Sequence, residues 1–361
     1  MVGLSGATDG FKLAIRYFGM PVIPKTSGWW SLYSDLEALN IRVVQPENYG
    51  VATHLLVIDY SEKDVVRWPK LPKTNRFLTA TEPVSVNPIQ FSKKVTSKFH
   101  RVIVPSRLSP QSSNTVVYDG GYINPLRYST VFSNDGFRQG CSLINENKLS
   151  FASQSNYILR TKFIRYALKR DLNLTIAGKN WTRGVLWTIT KIMHHLLIGI
   201  RAKQIKFKFS DVVELLKFSL SRKRVETICA GVVPDNVEFS LKFKVAIVIE
   251  NESCYFSEKL HAALIAGCQC VYVGPKLNPL DFPDGFLFQS EPHPASILKQ
   301  VEEALQTRYV ISAHDLKKHI DDSVFFRENG VSRRNAWIAK SIFAWMSSDH
   351  EYPPQNLGSF T

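Results

Sequence analysis

The chain has 361 residues, 44% of them apolar and 21% charged. Those proportions belong to an ordinary folded protein and exclude a disordered or fibrous one, and the length fits two domains better than a single core. A formal charge of +14 and a pI of about 9.5 would suit a polyanionic partner, but no zinc-finger spacing, homeodomain or RRM-like run supports nucleic-acid binding.

The first half alternates short apolar runs with helical or loop segments. Strands are expected at 12–17, 41–44, 55–58, 77–80 and 102–104, an α/β pattern implying a mostly parallel sheet. Trp29 and Trp30, followed by Leu32, Leu36 and Leu39, fit a helix packed on that sheet, with an acceptor-cleft role for the Trp pair as the alternative. Residues 106–114 and 120–140 read as irregular, and the boundary between an N-terminal domain (1–138) and a C-terminal domain (139–361) is placed there. The second sheet is expected from strands at 142–145, 174–177, 227–230, 245–249, 271–273 and 286–288. Helices are expected at 157–169, 257–266 and 294–305.

The segment 183–224 is unusual. Arg183, Lys191, Arg201, Lys203, Lys206, Lys208, Lys217, Arg222, Lys223 and Arg224 face only Asp211 and Glu214. Val185, Ile189, Met193, Leu196 and Ile200 recur at helical spacing, with Lys191, His194 and His195 largely off that face. Two readings stand: a basic amphipathic helix making peripheral contact with an anionic membrane, and an inserted helical hairpin packed on the C-terminal domain with its charges solvated.

The cysteines, Cys141, Cys229, Cys254, Cys268 and Cys270, are odd in number in a large chain and read as small apolar residues in a reducing compartment. No run of about 18 apolar residues offers a membrane span, and the N-terminus lacks the pattern of a secretory signal. The expected location is cytoplasmic, with peripheral contact at the inner face of the membrane as a further possibility.

The most informative stretch runs from Phe243 to Gly274, FKVAIVIENESCYFSEKLHAALIAGCQCVYVG. It reads as strand, polar loop, helix and strand. Such a unit places polar groups at the carboxyl end of a parallel strand, where open α/β sheets bind ligands. Ser257 is the expected N-cap. A carboxylate (Glu258) and an ammonium (Lys259) at the helix start suit a nucleotide, the first for ribose hydroxyls and the second for phosphate. Ordinary capping on a solvated face would use the same residues.

Glu250-Asn251, Tyr255 and Glu258-Lys259 fall at the spacings of a signature of glycosyltransferase family 10, the α-1,3-fucosyltransferases, which this window resembles. The resemblance is strongest between 239 and 288. It extends to Asn156-Tyr157-Ile158-Leu159-Arg160, where the family has an arginine contacting donor phosphate. It reaches the strand and polar loop RFLTATEPVSVNP, where Glu82 matches the family's general base. Three positions depart from the family: Ile249 stands for a common Phe, Ser257 for Thr, and Val273 for a frequent Trp, which bears on the shape of the sugar pocket.

The resemblance implies a GT-B fold, two Rossmann-like domains facing each other across a cleft. It implies an inverting transfer from a GDP-sugar, GDP-fucose first, to a glycan acceptor such as lipopolysaccharide or another oligosaccharide. It gives Glu82 the base role, and Arg160 and Lys259 the leaving diphosphate. Glu258 would take the ribose, with Glu250, Asn251 and Tyr255 shaping the donor site. No Asp-x-Asp motif in suitable context appears, since Asp281 and Asp284 read as turn residues; no metal and no other cofactor is expected. Three alternatives remain: a same-fold enzyme using another nucleotide sugar, a non-catalytic glycan-binding relative, and a peripheral membrane or nucleic-acid-binding protein driven by the basic segment.

Overall fold

The computed structural model describes residues 11–25, 27–105, 109–110, 112–118, 138–152, 155–202, 208–255, 257–323, 325–326 and 330–347. Lys203 and Lys206 of the basic segment, most of 120–140 and part of 106–114 lie outside them. The chain divides into two compact units.

The first unit takes its described residues from before Pro83, from Ile89 to Tyr118, and from Gly330 onward. Its strands are β1 (Lys12–Tyr17), β2 (Arg42–Val44), β3 (His54–Ile58), β4 (Arg76–Thr79), β5 (Arg101–Val104) and β6 (Thr115–Val117). They form one sheet in the order β2-β1-β3-β4-β5-β6, parallel throughout. The apolar runs in β1 and β3 are almost wholly buried, as strands covered on both faces should be. Three residues of β6 were too few, beside the irregular 106–114, to stand out in the sequence.

Helix α1 (Leu32–Glu37) buries Leu32 and Leu36, and a short helix α2 (Lys93–Thr96) precedes β5. Against α1 lies a helix from the far end of the chain, Val331–Ser347. The Arg334 guanidinium sits 3.7 Å above the Trp29 ring. Asn335 Nδ2 donates to the Gly28 carbonyl at 2.9 Å and to Ser31 Oγ at 2.8 Å. This corrects one expectation and bears out another. The C-terminal segment belongs with the first unit rather than extending the second to residue 361, because its buried face covers α1. Trp29 is a packing residue under Arg334, while Trp30 is 38% exposed.

The second unit holds 83–88 and the described residues from Arg138 to Phe326. Its strands are β7 (Cys141–Ile144), β8 (Leu174–Ala177), β9 (Val245–Ile249), β10 (Gln269–Val273) and β11 (Leu287–Gln289), all parallel, in the order β11-β10-β9-β7-β8. The helices are α3 (Tyr157–Lys169), α4 (Val185–Ala202), α5 (Phe209–Leu220), α6 (Arg222–Ile228), α7 (Asn236–Ser240), α8 (Lys259–Ile265), α9 (Pro294–Gln306) and α10 (Ala313–Asp322), so the C-terminal helix is α11. The expectation of two parallel α/β units holds. The strand expected at 227–230 is instead the end of α6. Val225 is anchored in the core, and Arg222 Nε bonds Glu226 one turn on, at 2.7 Å. Only a single bridge, Ile176 to Cys229, remains of that pairing.

The turn after β8 depends on one glycine. Gly178 has φ +127°, and a Cβ there would overlap the Asn145 carbonyl. Gly178→Ala is therefore expected to cost about 3 kcal/mol or more, from strain plus collision with backbone. Urea denaturation measures it, and an alanine variant as stable as the parent would refute the geometry.

Candidate donor site at the switch point of the second sheet

From β7 the chain winds to β8 on one side, then returns to place β9 on the other. The carboxyl ends of β7 and β9 thus frame the topological switch point, the place where an open sheet leaves a crevice. Asn145 follows β7, Glu250 and Asn251 follow β9, and the start of α3 is tied in by Asn156 N–H donating to the Asn251 carbonyl at 2.9 Å.

Arg160, on the first turn of α3, is 1% exposed. Its Nε and Nη2 both donate to the Ile249 carbonyl, at 3.2 and 2.6 Å, and Nη2 also donates to Asn251 Oδ1 at 2.9 Å. Its guanidinium lies 4.7 Å from the Tyr157 ring centroid. Burial pulls its pKa down to about 10, with Tyr157 and Glu250 resisting, so it stays charged at neutral pH. No carboxylate forms an ion pair with it among the described residues, and Tyr157 is a further hydrogen-bond partner. A charge taken from water with only neutral partners is costly, and a bound anion would offset that cost.

A second chain of contacts leads to Lys259. Glu250 is fully buried and accepts from Ser257 N–H at 3.0 Å and Ser257 Oγ at 2.7 Å. Lys259 Nζ donates to that same Oγ at 3.0 Å. Burial raises the Glu250 pKa, against Lys259 and the Ser257 hydrogen bonds. Two expectations change here. Ser257 is not an N-cap, because its hydroxyl is spent on Glu250; Glu258 occupies that position without a capping bond. Helix α8 has seven residues, so the ammonium of Lys259, more than the helix end, makes this corner favourable to anions. Glu250 is a bracket that seats Ser257 and Lys259 rather than a group open to a ligand.

Gly274 permits this packing. A Cβ there would lie 2.5 Å from the Tyr272 hydroxyl and 2.8 Å from Glu250 Cγ. The Tyr272 hydroxyl is buried without a hydrogen bond, as are Asn145 Oδ1 and Asn156 Nδ2. Buried polar atoms normally find partners, so these orphans, in β10, after β7 and before α3, are points that water or a ligand would complete. Beside Asn156 opens a cavity of about 300 Å³, lined by Ser155, Ile158, Lys162 and His293 among others. Val273, at the position of the family's Trp, is 2% exposed in the core with Ile247 and Ile249.

Tyr255 and Glu258 are half-buried on the same loop; the Glu258 side chain has no hydrogen bond among the described residues. Glu252 on that loop is buried, where burial raises its pKa, and it accepts from Ser85 N–H and from Cys254 Sγ at 3.5 Å.

Glu82 lies in the first unit, half-buried after β4. Its backbone is held at both ends: Glu82 N–H donates to Asp59 Oδ1 at 3.0 Å, and Gln90 Nε2 donates to the Glu82 carbonyl at 2.8 Å. Asp59 follows β3 with φ +56° and also takes the Thr81 N–H at 2.9 Å and the Thr81 hydroxyl. Burial raises its pKa, against those hydrogen bonds.

The structure thus gathers Arg160, Glu250, Asn251 and, through Ser257, Lys259 at one strand end. The sequence reading missed Asp59, Gln90, Asn145, Glu252 and the linking role of Ser257. A polar residue directly after an apolar strand was the available signal for Asp59 and Asn145.

No protein-family model matches the chain, and no curated protein is a significant sequence match. Among solved structures, the chain is similar to an α1,3-fucosyltransferase with GDP, at 12% identity over 97% of this chain and 94% of that one, with a TM-score of 0.49. It is also similar to a glycosyltransferase from Rickettsia africae, at 11% identity over 89% and 83%, TM-score 0.40. A third is a UDP-forming trehalose-phosphate synthase from Burkholderia vietnamiensis, at 9% identity over 90% and 81%, TM-score 0.45.

Proposed function

We propose that the chain is an inverting glycosyltransferase, fucosyltransferase-like, which moves a sugar from a GDP-activated donor to a hydroxyl of a surface glycan. The observation that carries this reading is Arg160: a buried guanidinium at a switch point, anchored by neutral hydrogen-bond partners and with no carboxylate ion pair among the described residues. Breaking the bond between sugar and diphosphate leaves charge on the departing β-phosphate. A fixed guanidinium beside an ammonium stabilises that charge without reorganising. Arg160 and Lys259 fill these roles, which in many transferases fall to a metal ion. Ser257 and Glu250 hold Lys259 in place. Glu258, half-buried with no hydrogen bond of its own, is the acceptor for ribose hydroxyls, and Tyr255 and Asn251 border the donor. Glu82 takes the proton of the attacking hydroxyl as general base.

Val273 in place of Trp favours a second reading, a different nucleotide sugar on the same site. Thermal stabilisation separates the two. A ligand that binds only the folded state raises the midpoint by mass action, by about 2.7 kcal/mol at a hundred times its Kd. GDP and GDP-fucose are expected to raise Tm, and UDP, UDP-glucose and CMP to leave it unchanged. A response to UDP compounds alone would discard the GDP donor, and a response to none would discard the transferase.

A further inference from the structure

Helix α4 is apolar on two opposite faces. Thr188 and Ile192 are buried on one of them, where Ile192 joins Leu149, Phe151, Ile158 and Leu215, and α4 packs on α5. The other face is bare. Leu186 is 79% exposed, Ile189 45%, Met193 55%, Leu197 54% and Ile200 64%. Their spacing of three, four, four and three residues draws one straight stripe along the helix. This refines the face expected from sequence: Leu196 turns inward toward the core, and Leu186 and Leu197 take the outer positions. A contiguous exposed stripe of this kind marks an interaction surface, whereas single exposed leucines mark nothing.

The charge around the stripe identifies its partner. At its N-terminal end the helix opens on a cavity of about 760 Å³, where Lys179, Arg183 and Arg222 gather with Leu186 and Trp187. Lys191 Nζ lies 5.7 Å from the Trp187 ring. Lys223 and Arg224 are exposed nearby in sequence, and α5 bares Phe209 and Leu220, at 74% and 75%, at its two ends. An apolar ridge bordered by cations and an interfacial tryptophan matches a layered medium, apolar inside and anionic at its surface. Eighteen residues make a helix of about 27 Å. No helix among the described residues is long and apolar enough to cross a membrane, so α4 would lie in the interface rather than span it.

We propose that the outer face of α4 docks on an anionic phospholipid bilayer, with the stripe at the acyl boundary and the Lys179–Arg183–Arg222 cluster among the headgroup phosphates. The proposal rests on α4 and its surroundings and is independent of the transfer reaction. The test is flotation of the whole protein with vesicles of phosphatidylcholine alone and of phosphatidylcholine mixed with phosphatidylglycerol, repeated with Met193→Glu/Leu197→Glu. Both positions are exposed, so the variant keeps its fold, which circular dichroism checks. The parent is expected to float with the mixed vesicles, less so at high salt, and not with phosphatidylcholine alone. The double variant is expected to lose about tenfold or more in partition, because two large apolar side chains leave the interface. Failure of the parent to float with mixed vesicles overturns the proposal, as does undiminished binding of the double variant. A dimer in the ultracentrifuge that the double variant dissolves, without vesicle binding, would assign the stripe to a second copy of the chain.

Discussion

Arg160→Lys is expected to lose most of the thermal stabilisation by GDP and, in a transfer assay, to lower kcat by about 10² to 10³-fold. The guanidinium reaches the Ile249 carbonyl with two nitrogens while bonding Asn251. An ammonium is a point charge and cannot hold that fork. It would satisfy the protein acceptors or the phosphate, not both. Each lost charged hydrogen bond costs about 1.5–3 kcal/mol, so the free variant should also melt earlier than the parent. Calorimetry with and without GDP separates the two effects. A nucleotide-induced shift of full size in the lysine variant would remove Arg160 from the phosphate site and leave it as packing for α3 against β9.

Glu82→Gln should behave in the opposite way. The Glu82 backbone is held by Asp59 and Gln90 through its own N–H and carbonyl, and the amide keeps the shape of the side chain. Stability and GDP binding are expected to stay near those of the parent. Turnover is expected to fall by about 10² to 10⁴-fold, the usual contribution of a general base. A glutamine variant that transfers sugar at the parent rate would place the base on another residue. Taken together, the two substitutions divide binding from proton transfer, and neither readout depends on knowing the natural acceptor beyond a working surrogate.

Periodicity made much of this molecule legible before any coordinates. Val245–Ile249 reads as a strand because five consecutive apolar residues leave no solvent face, and Leu174–Ala177 as one because its short β-favouring run is bounded by polar residues and a glycine. Tyr157–Lys169 read as a helix because its apolar positions recur by turns. Arg160, Asn251 and Lys259 were found by the polar pattern of their loops. What stayed hidden depended on contacts distant in sequence. Residues 227–230 have the apolar character of a strand, yet Val225 and the Arg222–Glu226 pair keep the chain helical to Ile228. Ser257 stands where a cap would stand, and only the fold shows its hydroxyl turned to Glu250. The outward side of α4 was ambiguous for the same reason: a helix with two apolar faces does not say which of them the core will claim.

The return of α11 to the first unit has a consequence for biosynthesis. A ribosome releases α1 long before the residues that cover Trp29, which follow the whole second sheet. The first unit therefore waits, with Trp29 uncovered, through the synthesis of about two hundred intervening residues, while the second unit, nearly continuous in sequence, can close on its own. In the cell, the vulnerable interval for this protein is its youth: its first unit is the part that needs shelter by a chaperone.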